Sequence, residues 1–306
     1  MYNGIVNVYK ESGFTSFDVV AKCRGIFGQR KVGHAGTLDP IAEGVLVVLL
    51  GSATKLSEFL AAEDKIYETE ILLGTKTDTC DISGKVINSV ELSEKSITDD
   101  DVRKAVSKYI GKQMQIPPLY SAIKKNGKKL YEYARDGEDV YVEPRPIEIY
   151  NIEILSIKIP VVKIRIHCSK GTYIRSLCRD IGEELKTDGC MKTLIRRETH
   201  GLCDTDALTL EELNSLKEKG KLHDAVLEVD ELMKGVLTAE IKPEKERFLI
   251  NGNKIRADDL IFIKNHITGF SDGEKVAVTF QGKVYALYQM NIDTEELKIV
   301  KMLRPE

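Results

Sequence analysis

Gly33-His34-Ala35-Gly36-Thr37-Leu38-Asp39-Pro40 leads shortly into the continuously apolar run Val45–Leu50. The two glycines of the first stretch allow sharp backbone geometry, and Pro40 keeps Asp39 out of the helical region. The apolar run is too short for a typical helix and is bounded by glycines, which predicts a buried strand. Asp39 is therefore expected on a stiff loop beside a core strand. Asp before Pro also begins many short helices, so a helix N-cap is the alternative interpretation.

The surrounding sequence predicts an α+β fold with a mixed sheet flanked by helices. Helices are predicted to start at the N-caps Ser16, Thr98 and Thr172, the second of them ending at Gly111, and to cover residues 53–60. Further strands are predicted at Ile5–Tyr9, Lys65–Leu73, Ile147–Ile159 and Val161–His167. In the last of these, apolar residues alternate with charged ones, so one face is expected to pack and the other to be wet.

Two segments depart from this pattern. Residues 117–145 open with two prolines and carry four lysines, which indicates a mobile, basic insertion. After residue 238, short alternating strands and turns predict a small β-rich domain, so the expected division is a domain over residues 1–235 and another over 238–306.

Composition narrows the class of protein. The chain has 306 residues, of which 42% are hydrophobic, and its 45 basic and 48 acidic residues give a net charge of −3. Any polyanion must therefore be bound by local basic patches. The six cysteines are scattered without a C-x-x-C pair, so neither a metal site nor a disulfide framework is expected. No membrane-spanning run or signal peptide is recognised, and a cytoplasmic location is expected.

Several side chains are candidates for chemistry. A catalytic Asp39 needs a counter-ion to stay ionised, and Arg175 at the start of its helix is one, although a solvated arginine on an exposed face is the alternative. Tyr67 and Tyr173 could stack on a flipped base or be core tyrosines. His34 is a lone histidine, and by itself it does not indicate a function.

A basic segment with interleaved aromatics is typical of a phosphate-backbone contact, and a solvated loop is its alternative. Its lysines are Lys124, Lys125, Lys128 and Lys129, with Tyr120 and Tyr131 nearby. Neither a G-x-G-x-x-G nor a G-K-[ST] phosphate loop is present around Gly33–Asp39, so no nucleotide cofactor is indicated.

Four ordered blocks of the sequence together resemble the TruB family of tRNA pseudouridine synthases. They are Gly33–Leu46 (GHAGTLDPIAEGVL); Lys65–Tyr67 with residues 73–84; Pro117–Lys124 (PPLYSAIK) with Tyr131 and Ala134-Arg135; and Cys168–Ser176 (CSKGTYIRS). One departure is Lys10-Glu11, where members of the family usually have Lys-Pro.

The resemblance implies the pseudouridine synthase fold, with a mainly antiparallel sheet, an RNA-clamp insertion and a PUA-like C-terminal domain. It implies that Asp39 is the catalytic aspartate, paired with and kept ionised by Arg175, and that no cofactor or metal is needed. The other implied contacts form a larger set: Tyr67 stacks on the flipped uracil, Tyr173 lines the pocket, Ile195 lies against the base, His34 holds the RNA open, Lys55 contacts the RNA backbone, and the four lysines clamp the RNA.

The expected activity is conversion of uridine 55 in the T loop of tRNA to pseudouridine by a monomer that needs no protein partner. Two alternative functions remain open: a guide-dependent synthase of the dyskerin type, and a non-catalytic protein that binds or folds tRNA. Whether the aspartate attacks the base or the ribose, or assists a glycal route, is left open.

Overall fold

The computed structural model describes residues 1–61, 63–92, 97–233, 236–262 and 270–303. Within these ranges no helix combines the length and apolar character that a bilayer crossing needs. The strands in chain order are β1 Gly4–Lys10, β2 Val32–Ala35, β3 Glu43–Leu50, β4 Lys65–Leu73, β5 Thr75–Thr77, β6 Val86–Ser89, β7 Gly111–Gln115, β8 Lys124–Lys125, β9 Lys128–Lys129, β10 Arg145–Lys158, β11 Val161–Cys168, β12 Gly189–Thr199, β13 Leu202–Cys203, β14 Leu237–Ile241, β15 Ile255–Arg256, β16 Leu260–Phe262, β17 Lys275–Phe280, β18 Lys283–Asn291 and β19 Glu296–Met302.

The α-helices are α1 Ser16–Phe27, α2 Ser57–Leu60, α3 Asp99–Ser107, α4 Leu130–Asp136, α5 Ile174–Glu184, α6 Leu210–Glu218, α7 Val229–Leu232 and α8 Glu246–Ile250. Short 3₁₀ segments cover Gly51–Leu56, Asp204–Asp206, Leu222–Ala225, Pro243–Lys245 and Ala257–Asp259.

The main sheet has the strand order β1-β3-β12-β4-β11-β10-β7, and every pair in it is antiparallel except β3 with β12. Strand β2 also pairs with β3, alongside Val47–Leu50, while β12 meets β3 at Glu43 and Gly44. The connection from β2 to β3, which carries Asp39, is therefore placed at the point where β12 joins the sheet. The mixed, mainly antiparallel sheet flanked by helices is confirmed.

The β1–β3 part of the sheet is covered on both faces. Helices α1 and α6 pack on one face of β1 and β3, and α3 and α5 close a second cluster formed with β4, β10, β11 and β12. The six-stranded sheet of the C-terminal part, in the order β15-β19-β18-β17-β14-β16, has its own core. Ala277, Val284 and Leu303 from this part also join the cluster of buried residues around Val45 and Val47. The β-rich C-terminal region is therefore packed against the main sheet.

Most predicted strands are confirmed, and β11 alternates buried Val162, Ile164 and Ile166 with more exposed charged residues. Two predicted helix starts are wrong by one residue. Thr15, rather than Ser16, caps α1 through a capping box with Asp18, because the Ser16 hydroxyl is bonded to the backbone of Leu38. Tyr173, rather than Thr172, occupies the N-cap of α5, since the Thr172 hydroxyl donates to Ser169 O.

The other two predicted helices are only partly correct. Thr98 does cap α3, as predicted, but the helix stops at Ser107 and Gly111 begins β7 instead of ending the helix. The segment predicted as a helix over residues 53–60 is a 3₁₀ turn followed by the short α2.

Gly44 is the residue on which the β3–β12 junction depends. Its φ is +97°, and a Cβ there would lie 2.3 Å from the carbonyl oxygen of Arg196. We expect Gly44→Ala to lower the free energy of unfolding by about 2–4 kcal/mol, through left-handed strain and overpacking, as measured by urea denaturation.

The matched control is Gly25→Ala. Gly25 lies exposed in α1 with nothing within 4 Å of an added Cβ, so alanine should raise stability by about 0.5–1 kcal/mol. Equal effects of the two substitutions would contradict the role assigned to Gly44.

Candidate active site

The loop that carries Asp39 is a turn and not a helix start. The amide of Ala42 donates to Asp39 O at 3.0 Å, and Pro40 lies within the turn. The helix N-cap interpretation of Asp39 is therefore wrong, because the chain passes from this turn directly into β3. The fully buried ammonium of Lys10 donates to Pro40 O and Ala42 O, at 3.2 and 2.6 Å, and fixes the turn from below.

The Asp39 carboxylate forms a two-point ion pair with Arg175. Arg175 Nε lies 2.9 Å from Asp39 Oδ2, and Nη2 donates to Asp39 Oδ1 at 3.1 Å. The Arg175 side chain is only 7% exposed, so the alternative of a solvated surface arginine is wrong. Asp39 retains 36% of its side-chain exposure, which leaves one side of the carboxylate reachable from a cavity.

Arg175 is itself held by the chain around it. Nη1 donates to Thr79 O at 3.1 Å and lies 3.8 Å from Asp81 Oδ2, while Nη2 also donates to Tyr120 O at 2.9 Å. Asp81 is buried and receives hydrogen bonds from neighbouring hydroxyls in its own turn. No role for Asp81 was predicted from the sequence, although the acidic stretch Thr77–Gly84 inside the second block was a signal for it.

Burial and charge act in opposite directions on Asp39. Removal of water raises the pKa of the Asp39 carboxyl above its ordinary value of 3.8, whereas the Arg175 guanidinium lowers it and Asp81 raises it further. The net direction is upward. The expectation that Arg175 simply keeps the carboxylate ionised is therefore incomplete, since Arg175 limits a shift that burial causes.

A cavity of about 410 Å³ lies over this ion pair. Tyr67, which is 8% exposed, and Tyr173 line the cavity, and the insertion contributes Tyr120 and Tyr131. The backbone of Tyr173 is fixed by a pair of hydrogen bonds with the Gln115 side-chain amide. Flat aromatic walls around a reachable carboxylate suit a planar heterocycle that is brought in from outside.

The apolar wall of the cavity is Leu194 and not Ile195. Leu194 lines the cavity together with Asp39, whereas Ile195 lines a separate cavity with Glu68 and Lys163. Adjacent residues of a strand point to opposite faces, so the prediction for Ile195 is wrong by one position. A register shift between Met191 and Thr193 sets which face each residue takes.

His34 lies on β2 near the cavity rim. Its Nε2 is 3.0 Å from the Thr37 hydroxyl, and its ring meets the exposed Phe17 edge-on at 5.3 Å. Burial and the charge of Arg196 lower the pKa of His34 below 6.5, so the ring is neutral near pH 7. Lys55 lies away from the cavity and donates to Met302 O at 2.7 Å, in the C-terminal part.

The four lysines of the insertion differ in their surroundings. Lys128 pairs with Asp136 and Glu138, Lys125 donates to Tyr141 O, and Lys129 contacts the Tyr131 hydroxyl. Lys124 is exposed. Their placement on the hairpin β8–β9 and next to α4 keeps them together beside the cavity wall formed by Tyr120 and Tyr131.

Comparisons with known proteins find relatives that match most of the chain. Residues 24–174 match the TruB family pseudouridylate synthase N-terminal domain, and residues 175–234 match the tRNA pseudouridylate synthase B C-terminal domain. The chain is 44% identical to tRNA pseudouridine synthase B of Clostridium novyi over 253 residues. This alignment covers 83% of this chain and 85% of the relative. It is 39% identical to the Clostridium acetobutylicum protein of the same name, over 98% of this chain and 99% of the relative.

Solved structures show the same fold. A chain of a Cbf5-Nop10-Gar1 complex matches with a TM-score of 0.77 at 24% identity, covering 99% of this chain and 85% of that one. A chain of an H/ACA RNP bound to a substrate RNA containing 2′-deoxyuridine matches with a TM-score of 0.75 at 23% identity, with the same coverage of both chains. With both family domains matched and relatives of 39–44% identity spanning most of its length, this chain belongs to the TruB family of pseudouridylate synthases.

Proposed function

We propose that this chain isomerises uridine 55 in the T loop of tRNA to pseudouridine, using Asp39 on a uridine that is flipped out of the RNA. Isomerisation of a tRNA uridine follows from membership of the family, whose curated members in the comparison are named tRNA pseudouridine synthase B. The observation that carries the proposal is the two-point Asp39–Arg175 pair under an aromatic-walled cavity.

The cavity is of the size that small-ligand sites have, and a base reaches it only after leaving the RNA stack. Unstacking costs a few kcal/mol, which stacking on Tyr67 and packing on Leu194 offset inside the cavity. Tyr173 also lines the cavity, and His34, which contacts the lining residue Thr37, would hold the RNA open beside it.

The reaction exchanges one glycosidic bond for another. The N1–C1′ bond breaks and leaves its electron pair on the ring, the ring turns, and C5 bonds to C1′. The C5 proton is released and N1 gains a proton, so the product is an isomer of the substrate and no redox partner or group donor enters the balance. An ionised carboxylate at Asp39 serves this sequence either as a nucleophile or by stabilising positive charge at the sugar.

The partner is the T arm of tRNA, bound by the 117–145 insertion and by the C-terminal sheet, for which we propose a PUA-like role in RNA binding. Relatives named tRNA pseudouridine synthase B favour a stand-alone enzyme over a guide-dependent one or a non-catalytic binding protein. We further propose that the protein acts as a monomer in the cytoplasm without an obligatory protein partner.

The first test of this function is tritium release from C5-labelled uridine in a T-arm hairpin with purified protein. Wild type should release tritium without a guide RNA. Asp39→Asn keeps the shape of the side chain but removes its charge, and we expect release to fall by at least ~10⁴-fold.

Asp224→Asn is the matched control, since Asp224 is an exposed carboxylate on the short segment Leu222–Ala225. It should retain the wild-type rate. Tight hairpin binding by wild type without tritium release would leave only a binding role, and release by Asp39→Asn would remove the aspartate from the mechanism.

The pH dependence of the single-turnover rate follows from the direction of the Asp39 shift. Burial raises the pKa of Asp39 above 3.8, and a raised pKa means that the active carboxylate is lost at higher pH than in an ordinary aspartate. The rate should therefore fall on acidification with an apparent pKa above 3.8. In Arg175→Gln, the remaining activity should show this acidic limb at still higher pH. An unmoved limb would mean that another group controls it.

Two lysines of the insertion provide a matched pair. Lys124 is exposed, whereas Lys128 is already paired with Asp136 and Glu138. Lys124→Ala should weaken hairpin binding several-fold and reduce the slope of log K against log salt by about one. Lys128→Ala should change both quantities less, as measured by fluorescence titration at several salt concentrations. The reverse order would contradict the proposed clamp.

A further inference from the structure

Arg196 on β12 is a buried cation that forms no ion pair with any residue that the structure describes. Its side chain is fully buried. Among the residues that the structure describes, its hydrogen bonds run to backbone carbonyls: Nε donates to Val45 O and Nη2 to Gly36 O, both at 2.7 Å. A buried arginine is normally paired with a carboxylate, because an isolated charge is costly to remove from water.

One nitrogen of this guanidinium is left over. Nη1 is buried and makes no well-formed hydrogen bond within the described part of the chain, although the guanidinium interacts with the neighbouring Tyr67 side chain. Gly36 stands directly beside it, and a Cβ at that position would come within 3.2 Å of Nη1. The other two nitrogens fix the plane of the guanidinium, so the direction of the unused N–H group is fixed as well. Buried donors without partners are rare and call for an explanation.

Arg196 belongs to the wall of the Asp39 cavity. Arg196 and Gly36 line that cavity together with Lys65 and Tyr67. After burial, the charge of Arg196 is the main influence that lowers the pKa of Lys65 to about 8, and it opposes the rise that burial causes in the pKa of Tyr67. The guanidinium therefore acts on this cavity electrostatically even when the cavity is empty.

The two arginines of the cavity differ in whether a carboxylate neutralises their charge. Arg175 shares its charge with Asp39 and Asp81 and uses its other donors on Thr79 O and Tyr120 O. Arg196 contacts neutral carbonyl oxygens and the neutral Tyr67 side chain, so no carboxylate among the described residues shares its charge. A site that holds such a charge in place before reaction is suited to negative charge that develops during the reaction.

We propose that Arg196 is a catalytic residue that donates its free Nη1–H to a carbonyl oxygen of the flipped uracil and stabilises the negative charge that the ring carries while it is detached. The proposal rests on the proposed function. When the N1–C1′ bond breaks, the electron pair remains on the ring and is shared with its oxygens. When C5 bonds to C1′ the same pair forms the new bond, the C5 proton leaves, and N1 takes up a proton. Arg196 stays protonated throughout.

The position of Arg196 favours the base over a phosphate as its partner. The guanidinium is fully buried beside Tyr67, on the inner wall that a flipped ring reaches, whereas a phosphate of the RNA backbone remains nearer to solvent. A role in backbone binding would appear mainly in affinity, and a role in charge stabilisation would appear in the rate of the bound complex.

The first experiment compares Arg196→Met with Arg197→Met on a T-arm hairpin under single-turnover conditions with saturating protein. Arg197, the next residue of the strand, pairs with Glu68 and Asp204 outside this cavity. We expect Arg196→Met to lower the rate by about 10²–10³-fold, the usual effect of losing one such donor, with a much smaller change in Kd. Arg197→Met should stay near the wild-type rate. Thermal unfolding of both variants checks that the fold is intact.

The second experiment separates a contact to the ring from support of the loop through Gly36 O and Val45 O. Hairpins carrying 2-thiouridine or 4-thiouridine at the target replace one ring oxygen by sulfur, a weaker acceptor. At one of these two positions, the sulfur substitution should lower the rate of wild type. The same substitution should change the rate of Arg196→Met much less, because that variant already lacks the contact to the ring oxygen. Conversion is read by nuclease digestion and chromatography of the nucleosides.

The outcomes are distinct from those for the proposed function. If wild type does not convert the uridine hairpin, the proposed function fails. If wild type is active but the losses from Arg196→Met and from sulfur multiply at both positions, the contact to the ring is refuted and Arg196 only supports the loop. A loss confined to affinity would likewise overturn the proposal.

Discussion

The two-point ion pair between Asp39 and Arg175 is the interaction on which the organisation of the site depends. It joins the β2–β3 turn to the first turn of α5, and Arg175 extends the connection to the Thr79–Asp81 turn and to the insertion through Tyr120 O. Four separate parts of the chain thus meet at one guanidinium. Arginine suits this position because its planar fork presents donors in fixed directions to a carboxylate and to carbonyl oxygens together.

Three buried cations lie at the site, and each has a different role. Arg175 is neutralised and holds the carboxylate in position, and Lys10 holds the turn through backbone oxygens. Arg196 has no acidic partner among the described residues. Each cation is buried, and each is fixed by backbone carbonyls whose positions the sheet determines. The electrostatic environment therefore results from main-chain geometry as much as from side-chain identity.

Much of the fold could be predicted from the sequence because its signals are local. The apolar run of β3 and the alternation of β11 indicate burial directly. The motif blocks identified the candidate site residues Asp39, Arg175, Tyr67 and Tyr173. Ser16 and Thr172 were misassigned because each lies next to the residue that occupies the cap, and contacts elsewhere engage its hydroxyl. Ile195 was predicted instead of Leu194 because the resemblance placed an apolar residue at this point and both neighbours are apolar, so only the strand geometry separates them. The burial of Arg196 depends on a neighbouring strand that is distant in sequence.

The turn that carries Asp39 has partners very far along the chain: Arg175 lies 136 residues away and Arg196 bonds Gly36 across 160 residues. Closing loops of this length costs chain entropy before any contact repays it, and proteins rich in such contacts fold slowly. No amino-terminal fragment that stops short of β12 contains the assembled pocket. During synthesis on the ribosome, the catalytic centre therefore cannot assemble before β12 has been made, and the nascent chain stays inactive until nearly two thirds of it exists.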